Sequence, residues 1–245
     1  MAGIVVELII SWLLIKFILN QNLSVLGFKI SRKQVAPIII ALLIPVVFLV
    51  IHLVSISLWV KSPYHLNPHY TFAAFKNSAS YVLISVMYEE LIFRGALLYI
   101  LIKKIGTQKA VLVSAISFGI YHWFTMGVLG QLVPMLFIFT VTTIMGYLFA
   151  LSFTISKTIY FPFALHLGYN FTFLIIFSRG NIGEQLLIPI FKNDPVKTGT
   201  IFQIVITVIH YIIFPFIIWL YLRYLKKGEL SLHKDWNWLL FAGKS

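Results

Sequence analysis

Seven long, nearly unbroken apolar runs constrain this chain more than any other feature. They cover about 3–19, 35–60, 78–101, 109–126, 131–154, 158–178 and 201–222. A helix needs roughly 20 apolar residues to cross a bilayer, and each run is near that length. The runs are continuous rather than alternating, which argues against a membrane barrel. Composition agrees: 60% of the 245 residues are hydrophobic and 11% are charged. The mean hydropathy is +0.95. One soluble core of this size would not bury so much apolar surface. The expected fold is all-α: a polytopic transmembrane bundle of about seven spanning helices, or eight with interfacial segments, forming a single integral-membrane domain over 1–245. The first run carries Glu7 and Lys16 and lacks a small-residue cleavage site, so it reads as a retained helix.

The net charge of +12 comes from 19 basic against seven acidic residues, and its distribution is what informs. With the N-terminus outside, 13 of the 19 Lys and Arg residues lie on inside segments and five on outside ones. Arg94 stands within a run. That bias matches the positive-inside rule and puts the C-terminus in the cytoplasm. The excess then sets topology and suits an anionic leaflet. No aromatic–basic module for nucleic acid is present. There are no cysteines, which excludes a disulfide framework, a cysteine nucleophile and a thiolate metal site. Two longer segments, Lys61–Asn77 and Arg179–Thr200, are expected outside. The second is long enough to lie partly on the bilayer. The tail after Lys226 mixes Lys and His with Trp and Leu and reads either as an interfacial segment or as a disordered tail.

Charged residues inside the third run need a reason. Of seven acidic residues, Glu89 and Glu90 are adjacent in VMYEELIFRG. An ionised group at bilayer centre costs about 2.5–3.5 kcal/mol on insertion scales. At least one of two neighbouring carboxylates therefore needs a raised pKa or a cation. Arg94 lies four residues after Glu90, on the same helical face, and suits an ion pair. Glu89 points roughly 100° away and is left for chemistry. The bland alternative is that all three only hold helices together.

Two further pairs share the four-residue spacing. Phe118 and His122 stand in SAISFGIYHW, and His166 and Asn170 in FPFALHLGYN. Counted from the inner helix ends, Glu89 is about 12 residues deep, His122 about 13 and His166 about 8. At about 1.5 Å per residue these depths are similar. Glu89, His122, His166 and Asn170 are thus expected to meet in one buried polar chamber. A carboxylate there can take a proton from water. Imidazoles can hold zinc or, with Asn170, donate to an oxyanion. The implied chemistry is amide hydrolysis without a covalent intermediate. HExxH and GxSG motifs are absent, and the only aspartates, Asp194 and Asp235, lie outside the runs. His52 and His210 have no polar neighbour at helical spacing and read as packing residues. Tyr88, Tyr121, Trp123 and Tyr169 read as packing beside the motifs.

The ordered set EExxxR (Glu89, Glu90, Arg94), FxxxH (Phe118, His122) and HxxxN (His166, Asn170) resembles the CPBP family. That family comprises CAAX-type prenyl-protein endopeptidases and bacterial bacteriocin-processing or immunity membrane proteases. The resemblance covers about 78–178, the expected catalytic core. It implies that Glu89, assisted by His122, activates water and that His166 and Asn170 stabilise the oxyanion. Glu90 and Arg94 become supporting residues. Zinc is left open, with His122, His166 and Glu89 as the candidate ligands. Members of this size are mostly bacterial. Prenylation of a CAAX box is eukaryotic, so a peptide pheromone, a bacteriocin or a membrane protein is the expected substrate. The resemblance implies a plasma-membrane location, with a membrane partner protein or a homo-oligomer left open. Two other functions compete: a non-catalytic bacteriocin-immunity or scaffold protein, and a proton-coupled transporter using Glu89 and the histidines. No repeat supports the transporter, although Pro134, Pro162 and Pro215 are candidate kink sites.

Overall fold

A computed structural model describes residues 2–177, 186–190 and 198–227. The tail after Lys227, and most of the segment expected to lie on the bilayer, fall outside the described residues. The described chain is almost entirely helical. Its helices are α1 (Ala2–Leu19), α2 (Arg32–Trp59), α3 (Phe72–Arg94), α4 (Ala96–Ile105), α5 (Thr107–Thr125), α6 (Leu132–Ser156), α7 (Tyr160–Asn170), α8 (Thr200–Val208) and α9 (Phe214–Lys227). Helical turns of π type extend α7 over Phe171–Ile176 and join α8 to α9 over Ile209–Ile213.

Each apolar run is matched by helix. Three of the resulting helices are long and apolar enough to cross a membrane: Arg32–Trp59, Leu132–Ser156 and Thr200–Lys227. They carry large apolar side chains on their outer surfaces, including Ile51 at 62% exposed, Val133 at 76% and Ile201 at 80%. Such surfaces suit lipid rather than water. Tyr160–Ile176 is shorter and also apolar.

The third run is not one helix. It breaks at Gly95, between α3 and α4. A Cβ at Gly95 would overlap the Leu91 carbonyl, so only glycine allows this bend. Of the three candidate kink prolines, Pro134 and Pro162 lie in the first turns of α6 and α7, where amide groups lack helical partners anyway. Pro215 acts differently. It has no N–H to give the chain four residues back, and the π-type turn ends just before it.

The helices divide into two compact units. The first takes in Met1–Ile38, Met87–Phe163 and Ile218–Ser245, so far as these are described. It contains α1, the end of α3, α4, α5 and α6. Gly146 of α6 brings that helix against α5, since a Cβ there would stand 3.0 Å from the Phe118 ring. The fully buried side chains of this unit include Arg94, Phe153, Phe161 and Leu98.

The second unit takes in Ile39–Val86 and Ala164–Ile217. It holds most of α2, the start of α3, most of α7 and α8. Two segments expected as outer loops meet in it as strands. β1 (Tyr64–Leu66) pairs antiparallel with β2 (Leu187–Pro189), with His65 opposite Ile188. Ser62 Oγ donates to the Ile190 carbonyl at 2.9 Å and extends the pairing. Phe72–Asn77, read as the end of a loop, belongs to α3.

Candidate active site

In the first unit the charged residues of α3 are gathered around an aromatic cage. Arg94 Nη1 donates to Glu90 Oε1 at 3.1 Å, one helical turn apart. Arg94 is 0% exposed and Glu90 1%. Arg94 Nη2 donates to the Gly146 carbonyl of α6 at 3.2 Å. The guanidinium carbon stands 4.2 Å from the ring centre of Phe118, 5.2 Å from Phe149 and 5.7 Å from Phe93. A planar cation with weak hydration suits such a site, where a lysine ammonium would not. The ion pair expected from the i,i+4 spacing is present.

Phe118 has a second role, which explains its place four residues before His122. Its carbonyl lies 2.8 Å from His122 Nδ1. A carbonyl can only accept, so the ring proton of a neutral His122 sits on Nδ1. Nε2 is then the basic nitrogen. It lies 3.9 Å from Glu89 Oε2. Both side chains are nearly buried, at 9% exposed for Glu89 and 8% for His122. The Phe118 ring meets the His122 imidazole edge-on at 4.4 Å between centres. One phenylalanine therefore links the Arg94 cation to the orientation of His122. Ser114 Oγ adds a tie from α5 to the Phe93 carbonyl of α3 at 2.8 Å.

In the second unit, α7 sets His166 and Asn170 on one face. Asn170 Nδ2 donates to His166 Nε2 at 3.2 Å. His166 is 5% exposed. The same unit has an apolar groove of about 320 Å³, lined by residues that include Phe72, Phe75, Lys76, Leu83, Leu167 and Phe171. Leu167 and Phe171 directly follow His166 and Asn170 in the chain. Glu89, Glu90, Arg94, Phe118 and His122 thus come together in the first unit, and His166 and Asn170 in the second. Among the described residues no three His, Cys, Asp or Glu side chains gather closely enough to hold a metal ion.

Sequence reasoning missed two contributors. The Gly146 carbonyl carried no sequence signal beyond a small residue in a spanning helix. His210, read as a packing residue, is hydrogen-bonded to Tyr169 at 2.8 Å between Nε2 and Oη. That partner is 41 positions away, so no local spacing reveals it. Tyr121 and Trp123 do pack as expected, Tyr121 against Phe93 at 5.3 Å and Trp123 against Phe139 at 5.6 Å.

No curated protein and no solved structure matches the chain. A family model does, over residues 71–172, and that stretch contains all three motifs. It is described as Type II CAAX prenyl endopeptidase Rce1-like. This agrees with the resemblance carried by EExxxR, FxxxH and HxxxN: over 71–172 the chain is similar to the Rce1-like type II CAAX prenyl endopeptidases.

Proposed function

We propose that the chain is an intramembrane endopeptidase that hydrolyses a peptide bond with water activated by Glu89. The observation that carries this reading is the facing of two acceptors, Glu89 Oε2 and His122 Nε2, 3.9 Å apart with His122 Nδ1 bonded to the Phe118 carbonyl. A water held about 2.8 Å from each would subtend about 90°, close to its own H–O–H angle. One of its hydrogens then points at the carboxylate and the other at the imidazole.

The steps balance with these groups. Glu89 takes a proton from water as the oxygen attacks the carbonyl carbon. The carbonyl π electrons move to oxygen, and the HxxxN resemblance assigns the stabilisation of that oxyanion to His166 and Asn170. The C–N bond breaks, and the proton on Glu89 passes to the leaving amine. Glu90 and Arg94 neutralise one another, so the second carboxylate does not repel the charge on Glu89. The steps are written with the chain's own groups, and zinc held by Glu89, His122 and His166 would instead polarise the attacking water. Elemental analysis of purified protein, with loss of cleavage on chelation and its return with zinc, would replace this scheme with a metal-based one.

The apolar groove lined by Leu167 and Phe171 of the same helical segment fits the side chains of a hydrophobic peptide or membrane segment. The charge bias supports a cytoplasmic C-terminus, and the reading takes the scissile bond to lie near that face. A peptide pheromone, a bacteriocin or a membrane protein of a bacterial cell is the substrate class. The test compares membrane proteomes from cells carrying wild-type and Glu89→Gln protein. Peptides that fail to mature with the variant, at equal protein abundance, support the reading. A phenotype that survives both Glu89→Gln and His122→Ala points instead to a scaffold.

A further inference from the structure

The proposed reaction does not use the polar rings buried in the second unit. His52 of α2 and His210 of the π-type turn have ring centres 5.2 Å apart and are 8% and 7% exposed. Tyr169 of α7 reaches this pair, with Oη 2.8 Å from His210 Nε2. The Tyr169 ring stacks on Phe173 and on Phe214, each at 5.5 Å. Phe48 stacks on His52 at 5.5 Å and on Phe214 at 4.6 Å. Three helical segments, α2, α7 and the α8–α9 hinge, are joined by one aromatic cluster that contains the Tyr169–His210 bond.

Where that bond sits gives it a use. Tyr169 precedes Asn170 and follows His166 by three residues, so it projects about 60° around α7 from His166. On the other side Gly168 lies against α2, since a Cβ there would overlap the Leu42 carbonyl. Close backbone packing fixes the distance of α7 from α2, and a smooth contact of that kind resists rotation poorly. The Tyr169–His210 bond, with the stacking of Tyr169 on Phe214, adds a directional restraint on rotation. Side-chain tips lie about 6 Å from a helix axis, so a turn of about 10° moves them by about 1 Å. A displacement of that size can cost roughly 100-fold in rate. Both π-type turns adjoin the cluster, and departures from regular α geometry of this kind are frequent at functional sites.

We infer that Tyr169 is a positioning residue: its bond to His210 holds α7 in the rotation that aims His166 and Asn170. The inference rests on the proposed role of those two residues as oxyanion donors. It concerns their orientation and not their chemistry.

The test uses protein labelled with ¹⁵N-histidine, reconstituted in lipid nanodiscs, with signals assigned by single His→Gln variants. Tyr169→Phe keeps the ring and removes the hydroxyl. It should move the His210 Nε2 signal and also the His166 Nε2 signal, while His122, on the first unit, stays unchanged. A moved His210 signal with an unmoved His166 signal would overturn the inference without any substrate. Once a Glu89-dependent peptide is available, Tyr169→Phe should lower kcat about 10- to 100-fold with KM within about twofold. His210→Phe should do the same, the double variant should be no worse than either single, and His210→Gln should recover part of the rate. A wild-type kcat in Tyr169→Phe beside an inactive Glu89→Gln refutes the positioning role alone. Cleavage that persists in Glu89→Gln refutes the hydrolase reading instead.

Discussion

Replacing Arg94 with Met leaves Glu90 buried without its cation. The side chains are similar in length, so the change isolates charge and hydrogen bonding from bulk. Breaking a buried pair by removing one partner costs about 3–5 kcal/mol. The hydrogen bond to the Gly146 carbonyl and the stacking over Phe118 add to this, but contributions in one network do not sum. A working figure is about 4 kcal/mol, a large share of the roughly 5–15 kcal/mol that holds a typical protein folded. For a chain of this size that corresponds to a fall in Tm of about 8–16 °C. The assay is thermal unfolding followed by the fluorescence of the six tryptophans, on protein that elutes as a single species in detergent. The informative variant is the double one. Glu90→Gln with Arg94→Met removes the stranded charge, and should recover about half of the loss, about 2 kcal/mol or 4–8 °C. A double variant no more stable than the worse single would refute the reasoning, because it would show that the pair contributes shape and not charge compensation.

Other outcomes follow from single positions. Gly95→Ala should destabilise by about 1–3 kcal/mol, read by the same unfolding assay, because the added methyl overlaps the Leu91 carbonyl. Lys157, between α6 and α7, sits in the left-handed region at φ 59° with its ammonium donating to the Thr154 carbonyl, and burial pushes its pKa down to about 8. The unfolded chain therefore binds more protons than the folded one between about pH 8 and 10.5, so stability should rise with pH across that window. Lys157→Gly should flatten that rise and add stability below pH 8, as measured by Tm against pH. The absence of cysteines makes topology directly testable. A single cysteine at the exposed position His69 should react with a membrane-impermeant thiol reagent on intact cells, and one at Lys109 only after lysis.

The helical segments, their approximate limits and the charge pattern were legible in the chain because lipid leaves few options: a spanning segment must satisfy its own backbone and must be apolar outside. The Glu90–Arg94 pair was legible for a related reason, since its two ends are one helical turn apart. The same local logic failed at Gly95, because the run stays apolar across the break and only backbone crowding marks it. It failed again for Gly146, whose carbonyl becomes an arginine partner 52 positions away, and for His210, whose phenol partner lies on another helix. What the sequence alone determined is which residues carry charge and which face of its own helix each one occupies, since helical geometry is fixed within a few residues. Only the tertiary structure decided that Phe118 connects Arg94 to His122 and that Tyr169 ties α7 to the α8–α9 hinge, because such contacts depend on how helices distant in sequence pack.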